Sequence, residues 1–200
     1  MGRFKIFLKL NEAGTHLKDV NKKRGEKPAV VFMGRFQPIT KAHVGIIKEM
    51  QKKYPGAEPF VFTVRGEKSS QDKEKNPFSF KIQQEMIEKS ANIKYVEEVP
   101  SAFIGEFIDR TRNKNFEIEA IFCGSDRVKG YQSQVDRYKE ELDIDIKVEE
   151  IKRDMSSKEN ISATRVRESL KNNDFGTFQD LTVNLNKRDF IRLQSEIKSV

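Results

Sequence analysis

Two hundred residues, 36% apolar with fifteen phenylalanines, make one substantial domain with a packed core and leave room for an added arm. A single cysteine and two histidines exclude an internal disulfide framework, a Cys-based zinc site and a His-rich metal centre, and no run approaches the roughly 20 apolar residues of a membrane helix. The formal charge is +7, but eight basic against three acidic residues put +5 of it in residues 1–27, so the other 173 carry only +2; a nucleic-acid partner, which asks for basic charge on the folded body, is not expected.

In chain order, residues 1–27 read as a basic arm and 28–200 as the domain. The apolar stretch at 4–10 is short and broken by lysines, which does not suit a secretory leader, so a soluble, cytoplasmic protein is expected. Residues 28–34 are a short apolar run ended by glycine, a strand buried on both faces. Positions 43, 47, 50 and 54 fall within about 60° on a helical wheel and predict a helix over 41–54. A second strand follows at 59–64. Residues 65–77 contain no large apolar side chain and read as a solvated loop long enough to act as a lid.

The alternation continues with a helix at 79–90, a strand at 93–99, a helix at 102–112 and a buried strand at 118–123. Val128, Tyr131, Val135, Tyr138 and Leu142 form one stripe of the next helix. Strict alternation at 143–149, with Ile144, Ile146 and Val148 on one side, predicts a fifth strand. A polar loop at 152–160 leads to helices at about 163–171, 174–182 and 186–198. Five strands alternating with helices predict an α/β fold, a Rossmann-like doubly wound parallel sheet with C-terminal helices. Ligands in such sheets bind beyond the carboxyl ends of the strands, where 34–43, 124–126 and 161–167 fall.

Each of these three segments suits phosphate and also has a plainer reading. In Gly34–His43 the turn aims backbone N–H groups and a positive helix end at whatever lies above it, Gly34 permits close approach, Pro38 stiffens the loop and Thr40 caps the helix. His43 could bond a phosphate oxygen or be a core histidine. In Ile161–Arg167, Ser162 and Thr164 can cap or hold phosphate, and Arg165 and Arg167 are forked cations. Gly124-Ser125-Asp126 could set a carboxylate against a ribose hydroxyl, or be a simple turn.

Taken together, Gly-Arg-Phe-Gln-Pro-x-Thr-x-x-His from Gly34 and Ile-Ser-x-Thr-x-x-Arg from Ile161 resemble the HxGH nucleotidyltransferase superfamily. The Gly-Arg-Phe-Gln-Pro string is similar to nicotinamide mononucleotide adenylyltransferases of the archaeal and NadR-like type, as is Asn76-Pro77-Phe78-Ser79 followed by Glu85-Met86-Ile87. The resemblance covers about residues 28–171. It implies attack of an acceptor phosphate on the α-phosphorus of a nucleoside triphosphate, ATP before others, with Mg²⁺ carried on the triphosphate and no protein metal-ligand set. The implied nucleotide site is Gly34, Arg35, Phe36, Gln37, Thr40, His43, Gly124, Ser125, Asp126, Ile161, Ser162, Thr164 and Arg167. His43, Thr40 and Arg167 are its implied catalytic members. The 34–37 backbone, Thr40 and His43 would hold the α- and β-phosphates, Ser162, Thr164 and Arg167 the β- and γ-phosphates, and Gly124 and Asp126 the base and ribose.

The sequence also departs from that pattern. Thr40 replaces the first His of HxGH, as in phosphopantetheine adenylyltransferases, Ala42 replaces the motif glycine, and Ala163 replaces the second Ser of Ile-Ser-Ser-Thr. No Trp is present to stack on a nicotinamide ring, which leaves Phe78 or Phe103 for that task. A cytidylyltransferase, a phosphopantetheine-type adenylyltransferase and a non-catalytic nucleotide-binding protein are the alternatives. Relatives often form homo-oligomers. Leu10-Asn11-Glu12 followed by Ala13-Gly14 resembles the capsid-targeting leaders of large tailed phages, cut by a prohead protease after such a triplet. That implies cleavage after Glu12 and a bacteriophage enzyme packaged in the virion.

Overall fold

The computed structural model describes residues 20–67, 71–151 and 162–198. Its five strands are β1 (Lys27–Gly34), β2 (Glu58–Val64), β3 (Tyr95–Val99), β4 (Phe116–Gly124) and β5 (Lys147–Ile151). They form one parallel sheet in the order β3-β2-β1-β4-β5. Helices α1 (Lys41–Lys53), α2 (Phe80–Ala91), α3 (Ile104–Arg112) and α4 (Ser125–Leu142) connect the strands. The C-terminal part adds α5 (Ala163–Lys171), α6 (Phe175–Leu181) and α7 (Lys187–Lys198). This is the doubly wound α/β sheet expected from the alternating pattern.

Alternation along β1 creates two separate cores. Val30 and Phe32 face α1, α2 and the C-terminal helices, where Ile47, Met50, Ile87, Val166, Phe178 and Phe190 are buried. Ala29 and Val31 face α3 and α4, packing with Phe107, Tyr131 and Val135. The chain moves outward from β1 to β3, and α3 then carries it back to the other side of β1. The strand order therefore reverses between β1 and β4, which splits the sheet's carboxyl edge there and leaves a crevice.

Two strands begin later than the pattern suggested. The expected starts were 93 and 143; β3 begins at Tyr95 and β5 at Lys147, and β5 runs on to Ile151. The preceding helices both end on a left-handed residue, Asn92 (φ 52) and Asp143 (φ 47). The next residue, Ile93 or Ile144, is buried against the helix as the apolar contact of that cap. Apolar residues that looked like strand belong to helix stops.

The composition shift at residue 27 and the edge of the packed body do not coincide. Val20 is buried with the α3–α4 core, and the Asn21 N–H donates to Asp109 Oδ1 at 3.0 Å. Arg112 has a fully buried side chain, grips Glu117 through Nε and Nη2 at 3.0 and 2.7 Å, and donates from Nη1 to the Asn21 carbonyl. A Cβ on Gly25 would lie 2.1 Å from the Phe116 carbonyl carbon, so only glycine fits that seam. The Leu10-Asn11-Glu12 triplet and Ile161 lie outside the described residues. Among the described residues, no helix is long and apolar enough to cross a membrane.

Candidate functional site

A cleft of about 1010 Å³ opens at the carboxyl ends of β1 and β4. Its floor is Met33, Gly34, Cys123 and Gly124. One wall is the β1–α1 loop and another the first turn of α5, with Glu74 and Lys75 of the loop after β2 at the rim. Five basic side chains line it (Arg35, Lys75, Arg127, Arg167, Lys171) against the carboxylates Glu74, Asp126 and Glu168. That balance favours an anionic ligand.

The β1–α1 loop is held in an unusual conformation. Phe36 sits in the left-handed region (φ 44), which costs a non-glycine residue roughly 1–2 kcal/mol. Its buried ring meets Phe32 edge-on at 5.3 Å and His43 at 5.0 Å, which offsets the strain. The same ring lies over Gly34, where a Cβ would come within 3.1 Å of it. The small size of Gly34 thus also makes room for the Phe36 ring.

Thr40 caps α1 and His43 closes a capping box with it, the role usually taken by Glu or Gln. The Thr40 N–H donates to His43 Nδ1 at 3.1 Å, and Thr40 Oγ1 lies 3.0 Å from the same nitrogen. A backbone N–H can only donate, so Nδ1 carries the lone pair and the proton of the neutral ring is on Nε2. His43 lines the cleft. Thr40 does not: it is 2% exposed, and its side chain is turned onto His43. Of the two residues expected to hold phosphate at this corner, His43 therefore lines the cleft and Thr40 packs behind it.

Gln37 reaches the cleft through its backbone, the part of it that the sequence reading assigned to phosphate. Its side-chain amide pairs reciprocally with the backbone of Phe78, Nε2 donating to the carbonyl at 3.1 Å and Oε1 accepting from the N–H at 3.0 Å. Its side chain is thus committed to the fold and leaves its backbone to the cleft. Gln83 on α2, 2% exposed, donates through Nε2 to the carbonyls of Arg35 and Phe36. Nothing in the sequence signalled this second fastening, because Gln83 sits in an apolar helical stripe beside Ile82 and Met86.

On the opposite wall, Ser162 caps α5 by accepting from the Arg165 N–H at 3.3 Å, and it does not line the cleft, whereas Ala163, Thr164 and Arg167 do. Arg167 joins the two corners: Nη1 donates to the Gln37 carbonyl at 2.6 Å and Nη2 to Thr164 Oγ1 at 3.2 Å. Burial, and then the like charge of Arg35, pull its pKa below the ordinary arginine value. A cation held under those conditions gains from an arriving anion.

At the end of β4, Gly124, Asp126 and Arg127 line the cleft, while Ser125 faces solvent and does not. The Asp126 carboxylate stands 3.3 Å from Arg127 Nε. The Cys123 thiol is pushed up to about 11 by burial, with Asp126 and Glu150 adding to the effect. Phe78 is buried and Phe103 packs against Tyr138; neither lines the cleft, so neither can stack on a ligand there. Tyr131, on the floor side of α4, is an aromatic residue that does line it, and sequence reasoning gave it only a core role. Lys75, Arg127 and Lys171 also line it, although sequence reasoning gave none of them a role.

A sequence model of cytidylyltransferase-like proteins matches residues 31–169, more than half the chain and both corners of the cleft. The chain belongs to the cytidylyltransferase-like family. With that membership it joins the nucleotidyltransferase superfamily. Comparison with curated proteins found no match. Among solved structures, this cytidylyltransferase-like chain is similar to the nicotinic acid mononucleotide adenylyltransferase of Plasmodium falciparum complexed with NaAD, with a TM-score of 0.53 and 17% identity over 85% of this chain and 96% of that one. The same enzyme complexed with APC gives 0.50 at 17% identity, over the same shares of the two chains. A macrolide-efflux protein of Streptococcus pneumoniae gives 0.51 at 16%, over 84% of this chain and 67% of its own. At these identities the likeness shows the shared fold.

Proposed function

We propose that this cytidylyltransferase-like chain moves a nucleoside monophosphate from a nucleoside triphosphate, ATP by preference, to the phosphate of a small acceptor such as nicotinamide mononucleotide, releasing pyrophosphate. The observation that carries the reading is the meeting of two corners far apart in sequence, with Arg167 of α5 bonded to the Gln37 carbonyl of the β1–α1 loop. An acceptor phosphate oxygen attacks the α-phosphorus in line, a new P–O bond forms, and the bond to the bridging oxygen of pyrophosphate breaks. Catalysis of this kind is positioning plus charge stabilisation.

In this reading His43 donates Nε2–H to a non-bridging phosphate oxygen, and Thr40 sets the ring for it. Arg167, with Thr164 beside it, faces the β- and γ-phosphates. The backbone of 35–37 adds N–H donors, and Gly124 and Asp126 face the nucleoside. Mg²⁺ travels with the triphosphate as part of the substrate and offsets phosphate charge. Ala42 is exposed and away from the cleft, so the missing motif glycine does not crowd the site, whereas Ala163 lies on the wall and removes a hydroxyl there.

CTP as donor is the second reading, favoured by the family's description. Pyrophosphate release, measured with ATP and CTP in turn against nicotinamide mononucleotide and other phosphate-bearing acceptors, separates the two. The expected result is release with ATP that depends on the acceptor. Nucleotide binding without release under every pairing would overturn the catalytic reading and leave a nucleotide-binding protein.

A further inference from the structure

We infer that Gln83 is a positioning residue for triphosphate binding, holding the Arg35 and Phe36 carbonyls away from the cleft and so aiming the N–H groups of Phe36 and Gln37 into it. The inference rests on the nucleotide site proposed above and names a residue outside every motif that defined it.

A trans peptide points its C=O and N–H in opposite directions. The Arg35 carbonyl shares its plane with the Phe36 N–H, and the Phe36 carbonyl shares its plane with the Gln37 N–H. Both carbonyls accept from the single Nε2 of Gln83. Both N–H groups are therefore directed away from α2. Phe36 and Gln37 line the cleft although their side chains are buried. The Gln37 side chain is further tied to Phe78. Among the described residues, neither N–H takes part in a backbone hydrogen bond.

The orientation of the Gln83 amide is itself fixed. Arg65 Nη1, which can only donate, lies 2.7 Å from Oε1, so that end is the acceptor and Nε2 must face the loop. Arg65 is held in turn by the Phe78 carbonyl at 2.9 Å from Nη1 and by Glu98 Oε1 at 2.9 Å from Nε. A leucine or methionine would suit the apolar stripe of α2 better. A glutamate would set carboxylate oxygen against two carbonyl oxygens. Only the amide supplies a donor on one side and an acceptor on the other.

The test is calorimetric titration with inorganic tripolyphosphate, well below the unfolding temperature, of the wild type, Gln83→Met and Gln83→Glu, with backbone amide NMR shifts followed at Phe36 and Gln37. The wild type is expected to bind and to move both amide signals. Both variants are expected to lose about ten- to hundred-fold in affinity and to lose those shifts. A purely structural role would lower the thermal midpoint and leave affinity and shifts unchanged in the folded protein. Wild-type affinity in folded Gln83→Met overturns the inference while leaving the transferase reading intact; a wild type that binds no triphosphate overturns both. Should neither Gln83 variant fold, Arg65→Met, which frees the amide to turn over, carries the test, and wild-type affinity there overturns the inference.

Discussion

A histidine one turn into a helix is usually a cap or a core residue; His43 closes the cap of α1 and also lines the cleft, and the proposed site uses it as a donor. The Thr40 N–H occupies Nδ1, and that leaves the proton on the nitrogen able to face an anion. His43→Ala is expected to lower turnover about 100- to 1000-fold, the usual cost of removing a donor aimed at developing charge, with the thermal midpoint little changed. Thr40→Val keeps the backbone donor and loses only the hydroxyl, so a drop of about ten-fold is expected; steady-state pyrophosphate release measures both. Cys123 gives a separate check on the floor. With its thiol pushed up to about 11, it should react slowly with iodoacetamide at neutral pH, faster as pH rises, and more slowly again with nucleotide bound. The Thr40 cap was legible because cap spacing is local. The engagement of Gln37 with Phe78 was not, since its partner lies 41 residues away and a buried amide looks in sequence like any polar loop residue.

At the scale of elements, the starts of α1, α2 and α5 were legible to within one residue, because Thr40, Ser79 and Ser162 are oxygen-bearing caps that sit directly before their helices. Strand starts were legible to within two residues except at β5, which begins at Lys147 and not 143, because Ile144 is apolar for the helix stop it covers. The sheet's last strand is held to α1 by Glu149, which accepts from Lys53 Nζ at 2.6 Å and from Tyr54 Oη at 2.7 Å. The Lys53 contact first, and then Tyr54, hold its carboxyl below the usual 4.5. A folded-state value below the unfolded one contributes stability that is present above pH 4.5 and lost as the pH falls through the folded value. Tyr54→Phe is expected to flatten that loss, read as thermal midpoint against pH between neutrality and strong acid. At the seam of residues 20–26, Gly25→Ala forces the segment off the Phe116 backbone and is expected to cost about 1–3 kcal/mol in denaturant unfolding.

For the molecule as a whole, the distribution of charge is more informative than its sum. Residues 28–200 carry little net charge, yet five basic side chains against three acidic ones converge on one crevice between β1 and β4. The doubly wound sheet that makes the crevice followed from the alternation of strand and helix, while the order of its strands did not. Its contents followed only where a motif residue had been given a role, which Lys75, Arg127 and Lys171 had not. The central claim is that residues about 130 apart grip one triphosphate tail together. Its most direct measurement is calorimetric binding of a non-hydrolysable ATP analogue with Mg²⁺ to the wild type, His43→Ala and Arg167→Gln. Each corner variant, folded as judged by circular dichroism, should bind at least about ten-fold more weakly than the wild type. Wild-type affinity in either one would contradict a site built from both corners.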